Sequence, residues 1–254
     1  MTAVDVRHRA VSPDAAVERL MDAAERLIAT MLGAGVSDRA IITEAGQHNN
    51  SAITYHFGSR RGLMDAVWHR RQRRIADRRD ELVGELQQPI GRLEVPEVVT
   101  LYIQPLCDEI GSQHPSHWAR FNEHFLQDLP LNFIPWVRPD MSRFEGTASS
   151  DQLLELFERL RELLTAIGLP LAMAETRVAL AARFVIASLA GWERSVASGD
   201  AVADELPALR DDLIAMTVAL LKSTPSGTGR WSIPIQSSRP AATQPGPASS
   251  SSKR

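Results

Sequence analysis

Cysteine is nearly absent: Cys107 is the single one among 254 residues. An intrachain disulfide is therefore excluded, and folding rests on burial of apolar surface. Aromatic residues are sparse at 6%, with only two tyrosines. Long hydrophobic runs are also missing. The longest apolar stretch, 178–192, is interrupted by Arg183 and is too short to span a bilayer. Residues 1–12 lack the apolar h-region of a secretory signal. The sequence contains no GxSxG nucleophile elbow, no phosphate-binding glycine loop, no dinucleotide fingerprint, no HExxH and no CxxC. Together these absences predict a soluble cytoplasmic protein that is not an enzyme and carries no cofactor.

What is present is an ordinary globular composition, 44% hydrophobic and 23% charged, enough for one large domain or two small ones. The net charge of -3 is unevenly placed. Residues 1–80 carry 13 arginines against 10 acidic side chains, whereas residues 81–254 carry 15 basic against 21 acidic ones. A basic first third on an acidic body points to a polyanion partner for that first part only.

Apolar residues recur at helical spacing almost throughout, so the chain is expected to be all-α. The periodicity predicts helices over 15–32, 38–45, 52–57, 60–86, 96–110, 116–129, 150–168, 172–198 and 203–223. Ser37 and Ser59 are suited to cap the second and fourth, Asn50 or Ser51 the third, while Gly46 and Gly58 act as stops. Residues 130–149 hold three prolines together with Phe133, Trp136 and Phe144, and read as an ordered apolar loop or a lid. From Thr224 onward the Pro/Gly/Ser-rich composition reads as a disordered tail.

Residues 37–57 have the form of a helix-turn-helix: a capped short helix, a glycine stop, a polar turn and a second short helix. The second helix presents Asn, Ser, Thr, Tyr and His, side chains that hydrogen-bond to base edges and phosphates without the desolvation cost of a full charge. The run Ile41-Ile42-Thr43-Glu44-Ala45-Gly46, followed by Ser51-Ala52-Ile53-Thr54-Tyr55-His56-Phe57-Gly58-Ser59-Arg60-Arg61-Gly62-Leu63, resembles the DNA-binding domain of TetR-type transcriptional regulators, in particular the subgroup reading NNSA-x-x-YHFGSR. The resemblance covers roughly residues 12–70; beyond them only a succession of helices matches.

The resemblance implies an N-terminal three-helix DNA-binding domain over 13–70, after a flexible arm of residues 1–12. A long helix would join it to a bundle over 71–223 for ligand binding and dimerisation. It implies a repressor that binds double-stranded operator DNA. By position, Ser37 would cap the first motif helix. Asn49, Asn50, Ser51 and Thr54 would approach bases or sugar-phosphate, and Tyr55, His56 and Arg60 would touch phosphate. A competing expectation places the Tyr55 ring largely in the core, with only its hydroxyl outside. Asp38 stands where many relatives have an apolar residue, so its helix is expected to start loosely packed.

Four further groups stand out. Arg70, Arg71, Arg73, Arg74, Arg78 and Arg79 interleave with Asp77, Asp80 and Glu81 at salt-bridge spacing, which reads as a solvated face. His114, His117 and His124 with Glu109, Glu123 and Asp128 raise metal binding only weakly. Tyr102, Gln104, His117, Trp118, Phe121, Asn122, Phe125 and Trp136 are candidates to line a cavity for a small apolar ligand, with a plain hydrophobic core as the alternative. Finally, Leu206, Leu209, Leu213, Met216 or Thr217, and Leu220, facing Phe184, Val185, Leu189 and Trp192, fit either a homodimer interface or an intramolecular core. Two other function classes remain open: a helical sensor or interaction module without DNA binding, and a metal-dependent enzyme at the histidines.

Overall fold

Capping side chains and glycines set the boundaries of the N-terminal helices. A computed structural model describes residues 13–31, 35–127, 129, 131, 133 and 148–224. Among them every element is helical: α1 Pro13–Thr30, α2 Asp38–Glu44, α3 Ala52–Phe57, α4 Arg60–Leu86, α5 Val95–Gly111, α6 Trp118–Gln127, α7 Ala148–Ala166, α8 Leu171–Ser198 and α9 Leu206–Lys222. Short 3-10 turns occupy Ile90–Arg92 and Ala203–Glu205. The expected arm, most of the 130–149 loop including Trp136 and Phe144, Asp128, and nearly all of the expected tail lie outside the described residues. The chain divides into a unit ending at Ser223 and the stretch Thr224–Arg254.

Ser37 accepts the Ala40 N–H at 3.1 Å and Ser59 accepts the Gly62 N–H at 3.0 Å, so both serines cap as their spacing predicts. Neither Asn50 nor Ser51 does so for α3. Instead Asn49 Oδ1 accepts the Ser51 N–H at 2.9 Å, an Asx turn that sets the entry to the helix. Helix α6 starts two residues later than expected, because Ser116 faces the helix as a cap and its hydroxyl accepts the Trp118 N–H at 3.4 Å.

One apolar core runs from Leu20 on α1 to Leu221 on α9. Helix α1 packs on α2, α4 and α6; α4 on α3, α5 and α7; α8 on α6, α7 and α9; and α9 also covers α5. At a 1.5 Å rise per residue, the 27 residues of α4 extend about 40 Å. That length carries α4 from the α2–α3 pair to α5 and α7. Cys107 lies in this core, and burial pushes its thiol up to about 12. No helix among the described residues is long and apolar enough to cross a membrane.

The arginines of α4 depart from the expected solvated face. Arg73 and Arg74 are exposed, but Arg71 and Arg79 are buried and only a tenth of the Arg70 side chain is accessible. Arg71 grips Glu25 of α1 with two bonds, Nη2 to Oε1 at 2.6 Å and Nε to Oε2 at 3.0 Å, and reaches Glu109 of α5 at 2.7 Å. Arg70 adds Glu18 at 2.8 Å and Asp22 at 2.7 Å. Burial opposes the charge on Arg71, yet the hydrogen bonds from Glu25 and Glu109 outweigh it and raise its pKa. The pairing is interhelical, which spacing along one helix cannot reveal.

A third buried carboxylate caps α6 from a distance. Glu193, on α8, accepts the Ala119 N–H at 3.1 Å, the Arg120 N–H at 3.0 Å and the Ser116 hydroxyl at 2.7 Å. The negative charge thus meets the free N–H groups at the positive end of the α6 dipole.

The two stripes expected on the last helices are largely consumed within the chain. Leu206, Leu213, Thr217, Val185, Leu189 and Trp192 are buried. Phe184 and Leu180 stay half-buried, and Ala187 and Met216 are exposed. Phe184, Leu180 and Ala187 border a surface cavity of about 520 Å³ together with Leu220, Arg177 and Arg183.

Candidate nucleic-acid interface

Helix α3 has one anchored side and one bare side. Ala52 and Ile53 are buried on α3, next to Ile41, Ile42 and Ala45 of the preceding segment in the same core. Ser51 and Thr54 are exposed, and Tyr55 is 79% exposed. The expectation of a core Tyr55 therefore fails, since Ala52, Ile53 and the half-buried Phe57 already fill the inner side. The Tyr55 ring meets the His56 ring edge-on at 4.8 Å between centroids, so the two form one aromatic corner. Asn49 and Asn50 are exposed in the turn just before the helix.

The far end of α3 is clamped by Gly62, a member of the motif whose packing role the sequence does not disclose. A Cβ on Gly62 would sit 2.1 Å from the Phe57 carbonyl oxygen, a separation that atoms cannot adopt. Only glycine lets the first turn of α4 close onto the last turn of α3. Between them Gly58 takes a φ of 73°, the left-handed conformation that favours glycine. Six residues make too short a helix to be stable alone, so its orientation comes from this clamp and its buried side.

Arg60 lies at the start of α4, but it is not free. Its Nη1 donates to Asp38 Oδ1 at 2.8 Å, tying the starts of α2 and α4 together. Asp38 is thus an exposed ion-pair partner, and Ile41 and Ile42 supply the packing of its helix. Beside it Arg39 is exposed and makes no ion pair among the described residues, a cation the sequence reading passed over. Arg26 pairs with Glu44, and Arg61 with Asp65 at 2.9 Å. No family model matches the chain, and no curated protein matches it.

The residues expected to line a ligand cavity do not share one surface. Trp118 and Phe121 are fully buried and stack at 5.8 Å. Phe125 instead stacks on Trp68 of α4 at 6.3 Å, under the Arg61 guanidinium at 5.4 Å. His117 accepts from Arg120 Nη2 at 2.7 Å, and burial followed by that neighbouring charge lowers its pKa. Asn122 is buried and Gln104 half-buried. Tyr102 lies elsewhere, with its ring 5.5 Å from Phe157 of α7.

Two of the acids near the histidines have arginine partners. Glu109 accepts from Arg71, and Glu123 from Arg194 at 2.7 Å. Among the described residues no group of three His, Cys, Asp or Glu side chains is placed to hold a metal ion.

Proposed function

We propose that this chain is a sequence-specific DNA-binding transcriptional regulator, a repressor that works as a homodimer in the cytoplasm. The observation that carries this reading is the short helix α3, anchored by Ala52 and Ile53 and clamped at Gly62, with Thr54 and Tyr55 bare on its outer side. A helix so held fits the major groove, where short polar side chains meet base edges. Asn49, Asn50, Ser51 and Thr54 would read or position bases, while Tyr55, His56, Arg60 and Arg39 would contact phosphate.

Arg60 must exchange Asp38 for a phosphate oxygen. That exchange is cheap, because an exposed ion pair is worth only about 0–1 kcal/mol. The apolar residues left around the cavity on α8 and α9, with exposed Met216, support self-association through those helices. An effector would release DNA by binding one separation of the two heads more tightly than another.

In vitro selection from a random duplex library tests the reading. The expected outcome is enrichment of near-palindromic sites with half-site centres roughly 34–36 Å apart, or an expanded spacing. A library that stays unenriched at moderate salt would overturn it and leave the sensor class standing.

A further inference from the structure

A histidine stands at the start of α6, among cations and at the wrong end of the helix dipole. His117 directly precedes Trp118, and its carbonyl accepts the Phe121 N–H at 3.0 Å, the first helical bond. Its half-buried ring thus belongs to the positive end of α6, where a further positive charge is disfavoured. One turn on, Arg120 Nη2 meets the ring Nδ1 at 2.7 Å. A guanidinium has donors only, so Nδ1 must be the acceptor and carry no proton.

The surrounding charges decide what a proton on Nδ1 would meet. Buried Arg120 also reaches the Ser116 carbonyl at 3.2 Å and Glu193 of α8 at 3.4 Å, so it is held against the ring. From α1, Glu25 attracts a charge on His117 and Arg26 repels it; from α4, Arg71 repels it as well. The two carboxylates of this cluster are engaged. Glu25 accepts from Arg70 and twice from Arg71. Glu193 accepts from the Ser116 hydroxyl and two N–H groups of α6, and its neighbour Arg194 is paired with Glu123. A protonated ring would lose its bond from Arg120 and compete with Arg71 for Glu25. That carboxylate fastens α1 to α4, and α1 is also the helix that packs on α2 and α6.

We propose that His117 is a proton sensor at the junction of α1 with α4 and α6: a proton taken from solvent onto Nδ1 expels the Arg120 guanidinium, draws Glu25 from Arg71 and loosens the hold on α1. Burial first, then Arg120, lower the pKa of His117 below its ordinary 6.5. The unfolded chain therefore takes up this proton first as pH falls. The stability contributed by the neutral ring is complete above pH 6.5 and is lost below it. The sensor stands without the DNA-binding reading, because its test contains no DNA.

The test follows the full chain from pH 7.5 to 5.0 by hydrogen exchange, corrected for intrinsic rates, and by thermal unfolding. Protection in Pro13–Thr30 and Trp118–Gln127 is expected to fall tenfold or more, ahead of Leu206–Lys222. His117→Gln keeps an acceptor for Arg120 but takes up no proton. It should remove the early loss from both helices, and its Tm should fall less on acidification than that of wild type. An acid loss that His117→Gln retains, or one spread evenly over all helices, overturns the proposal. Should the variant not fold, the imidazole signal of His117 in the NMR spectrum decides. Titration in step with the loss of protection in α1 is the expected result, and titration out of step is fatal.

Discussion

Arg71 and Arg79 sit eight residues apart on α4, both buried, and they live in opposite electrostatic worlds. Arg71 is held by Glu25 and Glu109 and fastens α1, α4 and α5 together. Arg79 has a single carbonyl acceptor and an unpaired Nη1 among the described residues. A buried polar group satisfied from inside is part of the scaffold, whereas one left unsatisfied adds a desolvation cost that the surrounding packing must offset. The outer side of α3 is the solvent-facing counterpart, with polar groups displayed where water serves until a partner arrives.

The largest effect should separate the two arginines. Arg71→Met leaves two buried carboxylates with only their weaker partners, Glu25 with Arg70 at 3.1 Å and Glu109 with Arg74 at 3.5 Å. It should cost about 3 kcal/mol in urea unfolding, whereas Arg79→Gln should stay within about 1 kcal/mol of wild type. Equal losses would erase the distinction. Next comes Gly62→Ala, whose Cβ collides with the Phe57 carbonyl. Overpacking of this kind costs roughly 1–3 kcal/mol. The damage should appear first as lost hydrogen-exchange protection in α3 and as lost duplex binding, with the α5–α9 amides unaffected. The smallest effect belongs to Asp38→Asn. Freeing Arg60 from its exposed partner should raise duplex affinity up to about fivefold at low salt and less at high salt. A fall in affinity would instead make the Asp38 pair an orienting contact for Arg60.

The all-α class and most helix spans were legible because their signals are local. Ser37, Ser59, Gly46 and Gly58 act on atoms within a few residues, and α3 and α4 begin and end where the caps and stops place them. What escaped the sequence is non-local. Arg71 meets partners 46 and 38 residues away, and Glu193 caps a helix more than 70 residues before it. Asp77 and Glu81 made the arginines from Arg70 to Arg79 look like a solvated ion-pair face, yet among the described residues Arg78 is the one of them that pairs within its own helix, with Glu81 and Glu85. The aromatics of α5 and α6 carried helical periodicity but no information on mutual orientation, so Tyr102 and Phe125 were grouped although they face different neighbours. Gly62 did leave a trace, a glycine in the first turn of a long helix, where its low helix propensity asks for a packing reason.

The most direct measurement is the affinity of wild type and Thr54→Ala for the enriched duplex and for a scrambled duplex of the same length, at one salt concentration. If the outer side of α3 lies against base edges, Thr54→Ala should reduce the ratio of the two affinities by about five- to tenfold, as one lost base contact implies, while scrambled-duplex binding holds. An unchanged ratio would mean that α3 does not read the bases.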